Sequence, residues 1–116
     1  MRLLISSGIR VSMKIAKNGA WQELVGHRIV MLRAAKGVKQ AQLARHLKIS
    51  PQRLSNYERG ERPLDIEQAI AICENLQGTL DYLYRGIHAG LPFEVIQRLA
   101  SEEGRLELRG TDGLKN

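Results

Sequence analysis

The chain of 116 residues has one cysteine, Cys73, so it can build neither an internal disulfide framework nor a cysteine-based zinc cage. Aromatic residues make up only 4% of the sequence, and no uncharged stretch is long enough to cross a bilayer. The apolar residues Leu3 to Ile5 are too few for the core of a signal peptide, and Arg10, Lys14 and Lys17 follow them closely. His27, His46 and His88 lie far apart and lack a metal-ligand spacing. No nucleophile stands with a base at a recognisable spacing, and there is no phosphate-binding glycine loop or dinucleotide fingerprint. Glu102, Glu103 and Glu107 read as solvated surface, not as an acid–base pair. These absences predict a cytoplasmic protein that is not an enzyme, with no cofactor, no metal and no membrane association.

What is present is an ordinary globular mix of 43% hydrophobic and 26% charged residues, in a length suited to one domain. The net charge of +6 is unevenly placed. Residues 1–20 carry four basic groups and no acid, and residues 21–60 carry eight basic groups against Glu23 and Glu58. Residues 61–116 carry six basic groups against ten acidic ones. A basic first half and an acidic second half predict a face that meets a polyanion.

Hydrophobic periodicity predicts a mainly α chain. Trp21, Leu24, Val25, Ile29 and Leu32 form one helical stripe, closed by Gly37. Gln40 to Leu47 reads as a second short helix, with Leu43 and Leu47 one turn apart and Ala41 and Ala44 small. After the tight connection Lys48-Ile49, Ser50 caps a third helix over 51–59, and Pro51 sits where a missing N–H costs nothing. Asp65, with Gln68 three residues on, resembles a capping box for a fourth helix with Ile66, Ala69, Ile70, Cys73 and Leu76 on one stripe. Cys73 reads there as a small buried hydrophobe. Thr79 caps a short fifth helix that ends at Gly86, and a sixth is predicted over 92–101. Alternation at Ile9, Val11, Met13 and Ile15, and again over 105–109, predicts two strands pairing in a small β-ribbon, within one chain or between two subunits. The expected organisation is a basic segment 1–19 with a strand at 9–15, a domain over 20–86, and an extension 87–116.

The chemistry is concentrated in residues 39–60. Small Ala44 allows a close approach of the second and third helices, and Leu43, Leu47, Ile49, Leu54 and Tyr57 fill the space between them and the first. Gln52, Arg53, Ser55 and Asn56 are left on the open side of the third helix, with groups that can hydrogen-bond base edges and phosphates in a major groove. Lys39, Arg45 and Arg62 would add phosphate contacts through charge alone.

This stretch resembles the lambda-repressor-like helix-turn-helix family, the type found in phage Cro and repressor proteins and in many small bacterial regulators. The resemblance runs from about Leu24 to Gly86 and rests on Gly26, Arg28, Ile29, Leu32-Arg33, Gln40, Leu43-Ala44, Ser55, Tyr57-Glu58-Arg59-Gly60, Pro63 and Leu80-Asp81-Tyr82-Leu83. It implies a five-helix domain that binds double-stranded DNA as a homodimer, with Gln52 and Asn56 reading bases and Arg53 and Ser55 beside them in the groove. It further implies Gln40, Ser50 and Arg59 at the phosphates, and an Arg33–Glu58 ion pair that orients the third helix. Two positions depart from the family pattern. Lys39 stands where a capping Ser or Thr is common, and Pro51 occupies a position often used to read a base.

Two functions from different classes follow. The first is a sequence-specific transcriptional regulator, a repressor, that inserts helix 51–59 into the major groove. The alternative is an antitoxin-type or adaptor protein that binds a protein partner through residues 87–116 and uses DNA binding for autoregulation. Leu91, Phe93, Val95, Ile96 and Leu99 would make an apolar helix face able to pack on the domain, on a second subunit or on a toxin.

Overall fold

A computed structural model describes residues 20–102 of the chain. Among the described residues six helices follow one another: α1 (Ala20–Lys36), α2 (Gln40–Leu47), α3 (Pro51–Glu58), α4 (Ile66–Leu76), the π-helical α5 (Asp81–Arg85) and α6 (residues 93–102). No strand occurs among the described residues. The β-ribbon expected from 9–15 and 105–109 lies outside them.

Helix α1 is the spine of the domain and packs against α3, α4 and α5. Val25, Ile29, Met31, Leu32 and Ala35 are buried, whereas Leu24 of the expected stripe is exposed. Gly37 stops the helix with φ +70°. Its N–H reaches the Ala34 carbonyl (3.1 Å) and that of Val38 the Arg33 carbonyl (2.9 Å), the paired bonds of a Schellman motif.

Each end of the central helices is satisfied locally. Lysine has no acceptor to offer at the start of α2, and the Gln42 side chain compensates by accepting the Lys39 N–H at 2.9 Å. Lys48 closes α2 in the left-handed region (φ 59°), which turns the chain straight into Ser50. Ser50 Oγ accepts the Arg53 N–H at 3.1 Å, and Pro51 begins α3. Replacing Ser50 with Ala removes this cap and is expected to cost about 1 kcal/mol. Thermal unfolding followed by circular dichroism should show it as a drop of about 4–8 °C.

The phase of α4 differs from the sequence expectation. Ala69, Ile72 and Leu76 face the core, Cys73 is half-buried, and Ile66 and Ile70 are exposed. The helix carries isoleucine at 66, 70 and 72, so its apolar positions fit two overlapping stripes, and packing against α1 and α2 selects the one containing Ile72. Burial raises the Cys73 thiol to about 11, which leaves it protonated and inert at neutral pH. At the start of α4, Asp65 Oδ1 accepts the Gln68 N–H at 2.8 Å.

Helix α6 completes the core. Val95 and Leu99 are buried one turn apart, Leu91 is buried just before the helix, and Arg98 donates to the Ala35 carbonyl near the end of α1 (3.2 Å). Phe93, expected on the same apolar face, is 73% exposed.

Candidate nucleic-acid interface

Helices α2 and α3 form a tight pair whose orientation is set from beneath by α1. Two glycines allow the approach. A Cβ on Gly26 would lie 2.3 Å from the Glu58 carbonyl oxygen and 2.5 Å from that of Tyr57. Gly60, with φ +76°, sits against Glu23, whose Cα would be 2.7 Å from an added Cβ. Helix α1 therefore crosses the carboxyl end of α3 backbone to backbone.

A buried polar cluster fixes the same junction. The Glu58 side chain is 5% exposed and lies under the start of α2. Its carboxylate accepts from Arg33 Nε (2.7 Å) and Nη2 (2.9 Å), and from Gln40 Nε2 (2.8 Å). Arg33 Nη1 also reaches the Val38 carbonyl (3.1 Å). One carboxylate thus joins α1, α2 and α3. The fork geometry matches the planar guanidinium, and the Gln40 donor occupies a remaining lone pair. Gln40, expected at a phosphate, spends one amide N–H on this cluster and keeps the other.

The outer face of α3 carries a connected polar surface. Gln52 Nε2 donates to Asn56 Oδ1 (3.0 Å), one helical turn on. Arg59 Nη2 donates to the same Asn56 oxygen (3.1 Å), and Nη1 to Ser55 Oγ (2.5 Å). The Arg59 guanidinium is held in turn by Glu61, through Nε (3.1 Å) and Nη2 (3.0 Å). This pairing holds the Glu61 carboxyl below its ordinary range and lifts the Arg59 guanidinium. Gln52, Ser55, Asn56 and Arg59 are therefore brought together.

Arg53 is placed otherwise. Its Nε donates to the Tyr57 hydroxyl (3.1 Å), its guanidinium carbon lies 5.8 Å from the centre of that ring, and Nη2 lies 4.0 Å from Asp65. The Tyr57 hydroxyl donates to Asp65 Oδ2 (3.2 Å). Arg53 braces α3 against the loop that enters α4, through Tyr57 and Asp65. Lys39, Arg45 and Arg62 are exposed, while Ser50 Oγ is engaged in capping α3.

Three groups lay outside the sequence reading of the site. Glu61 lies in a loop that periodicity does not address, and the Tyr57–Asp65 bond spans two elements. Arg28 is half-buried, donates to the Leu83 carbonyl (3.1 Å) and packs under Gly86. Burial lowers its guanidinium from the ordinary value, and the smaller electrostatic effect of Tyr82 raises it. Its presence among the family-matching residues was the available signal. No group of three or more His, Cys, Asp or Glu among the described residues could hold a metal ion, and no described helix is long and apolar enough to cross a membrane.

Comparison with known proteins addresses the same region. Residues 29–83 match the helix-turn-helix family model. An uncharacterised HTH-type transcriptional regulator of Rickettsia prowazekii is 32% identical over 63 residues, covering 54% of this chain and 48% of its own length. A protein of the same description from Rickettsia conorii is 32% identical over 63 residues, covering 54% of this chain and 50% of its own. The matched segment spans about half the length of both relatives. Among solved structures, one crystal structure of the clp gene regulator ClgR from Corynebacterium glutamicum aligns with a TM-score of 0.53 at 24% identity, over 78% of this chain and 88% of that one. A second ClgR structure aligns at 0.50 and 26% identity, over 71% and 91%.

Proposed function

We propose that the chain, whose residues 29–83 match the helix-turn-helix family model, is a double-stranded DNA-binding transcriptional regulator of the lambda-repressor-like type. One observation carries this reading. The exposed face of α3 gathers two amides, a hydroxyl and a guanidinium, on a helix whose tilt is fixed by a buried three-helix carboxylate cluster. Amides at 52 and 56, one turn apart, suit two neighbouring base pairs in a major groove. Gln40 (through its remaining N–H), Lys39, Arg45 and Arg62 supply donors and charge for the flanking phosphates. Two subunits, each with α3 in a groove, would bind a site of two half-sites and act as a repressor by occluding polymerase.

The test is a titration of the purified chain against its own upstream region, with random duplex as competitor and salt varied. Binding is expected to survive competitor and to weaken with salt. Gln52→Ala and Asn56→Ala should each reduce specific affinity about tenfold while leaving affinity for random DNA unchanged. Wild-type binding that competitor removes would sink the proposal. A homodimer would appear as two chains per duplex in analytical ultracentrifugation.

The antitoxin or adaptor reading loses support from the packing of residues 87–102. Leu91, Val95 and Leu99 of the expected apolar face are buried in the domain itself, while Phe93 of that face stays exposed.

A further inference from the structure

The polar chain on the outer face of α3 ends in a loop carboxylate, and that ending has consequences for which atoms face outward. A carboxylate only accepts hydrogen bonds, and a guanidinium only donates them. Glu61 takes the Nε and Nη2 edge of Arg59 as a two-point fork, which sets the plane of the guanidinium over the last turn of α3. The atom of Asn56 that meets Arg59 must then be an acceptor, so Oδ1 faces the arginine and Nδ2 faces away. Gln52 also approaches Asn56 Oδ1, so the Gln52 atom there must be the donor Nε2. Both lone pairs of Asn56 Oδ1 are thereby occupied. Asn56 keeps only N–H donors to offer, whereas Gln52 keeps its Oε1 acceptor and one N–H.

We propose that Glu61 is a positioning residue for base recognition: by holding Arg59 it sets the hydrogen-bond polarity of both amides on α3. Gln52 then presents an acceptor and a donor, the complement of adenine N6 and N7, and Asn56 presents donors for purine N7 or guanine O6. The inference rests on the DNA-binding reading above and deepens it. Without Glu61, Arg59 is free to swing to a phosphate and the Asn56 amide to turn over. Gln52 loses its fixed partner with it. Nothing else on the described surface holds Arg59 from the loop side.

The experiment is selection from a randomised duplex pool by the full chain, with wild type, Glu61→Ala and Asn56→Asp run in parallel. Wild type is expected to select adenine at one position of each half-site by about tenfold or more. Glu61→Ala should bring that preference within about threefold, while its affinity for random duplex holds or rises with the loss of a negative charge. Its melting temperature should be unchanged, because the Glu61 side chain is exposed. Asn56→Asp keeps an acceptor facing Arg59, so it should retain the adenine preference and lose the neighbouring one. If Glu61→Ala selects the same bases as stringently as wild type, the positioning role is overturned and DNA recognition stands. If wild type enriches no sequence at all, both fail together.

Discussion

Replacing Glu58 with Gln is expected to destabilise the domain by about 3–5 kcal/mol, although the substitution changes almost no volume. All the atoms around the Glu58 carboxylate are donors: Arg33 Nε and Nη2, and Gln40 Nε2. An amide would point an NH2 group at one of them and leave the Arg33 guanidinium, itself only 16% exposed, without a counterion. Taking an unpaired charge out of water costs far more than an exposed ion pair contributes, so removal of one partner dominates the outcome. For a domain of this size the loss corresponds to a fall in Tm of about 12 °C or more. Removing both partners, as Arg33→Met with Glu58→Met, should cost less than the single change, because no orphaned charge remains. Melting curves of wild type, Glu58→Gln and the double variant decide the matter. A Glu58→Gln protein that melts with wild type would mean that the cluster holds nothing together.

The second large effect is expected at Gly26. In an exposed helix interior, alanine would be favoured over glycine by about 1 kcal/mol. Here the added methyl would lie 2.3 Å and 2.5 Å from two backbone oxygens of α3. Those oxygens belong to a helix end that cannot give way as a flexible side chain would, so α1 and α3 must separate. The net cost of Gly26→Ala is expected to be about 2–4 kcal/mol, read as a lower midpoint in urea unfolding. Separation of the helices also tilts α3 against α2. Specific DNA affinity should therefore fall even under conditions where the variant remains folded. An affinity equal to wild type in the folded variant would show that the crossing does not aim α3.

Legibility from sequence followed the range of the forces involved. The boundaries of α2 and α3 were readable because their caps are local: Ser50 and Pro51 at the start of α3, and Leu47 before a tight turn. The Arg33–Glu58 pair, 25 residues apart in the chain, came only through family resemblance, since no periodicity links those positions. The phase of α4 was misread because three isoleucines made its apolar face ambiguous, and only tertiary packing chose Ile72 over Ile66 and Ile70. Arg53 was grouped with Gln52 and Asn56 from its place on α3. The long side chain instead reaches Tyr57 and Asp65, a preference set by a loop residue twelve positions away. Glu61 was invisible for a related reason, because a surface carboxylate acquires meaning only from the guanidinium it meets. The apolar residues of 87–102 were recognised, but whether they served the domain or a partner depended on where α6 docks.

The docking of α6 has a thermodynamic consequence. Helix α1 is about 25 Å long, reaches α3 near Gly26 and receives Arg98 of α6 at Ala35 near its other end. The last described helix and the helix bearing Gln52 and Asn56 thus share one scaffold, and Val95 and Leu99 are as fully buried as Leu32 and Leu54. Such an arrangement offers no seam along which the domain could open in halves. Amide protons of α3, despite its eight residues and wet outer face, would exchange through the same global unfolding event as those of α1. The domain is expected to unfold as a single unit, with α3 held in part by contacts laid down some forty residues later in the chain.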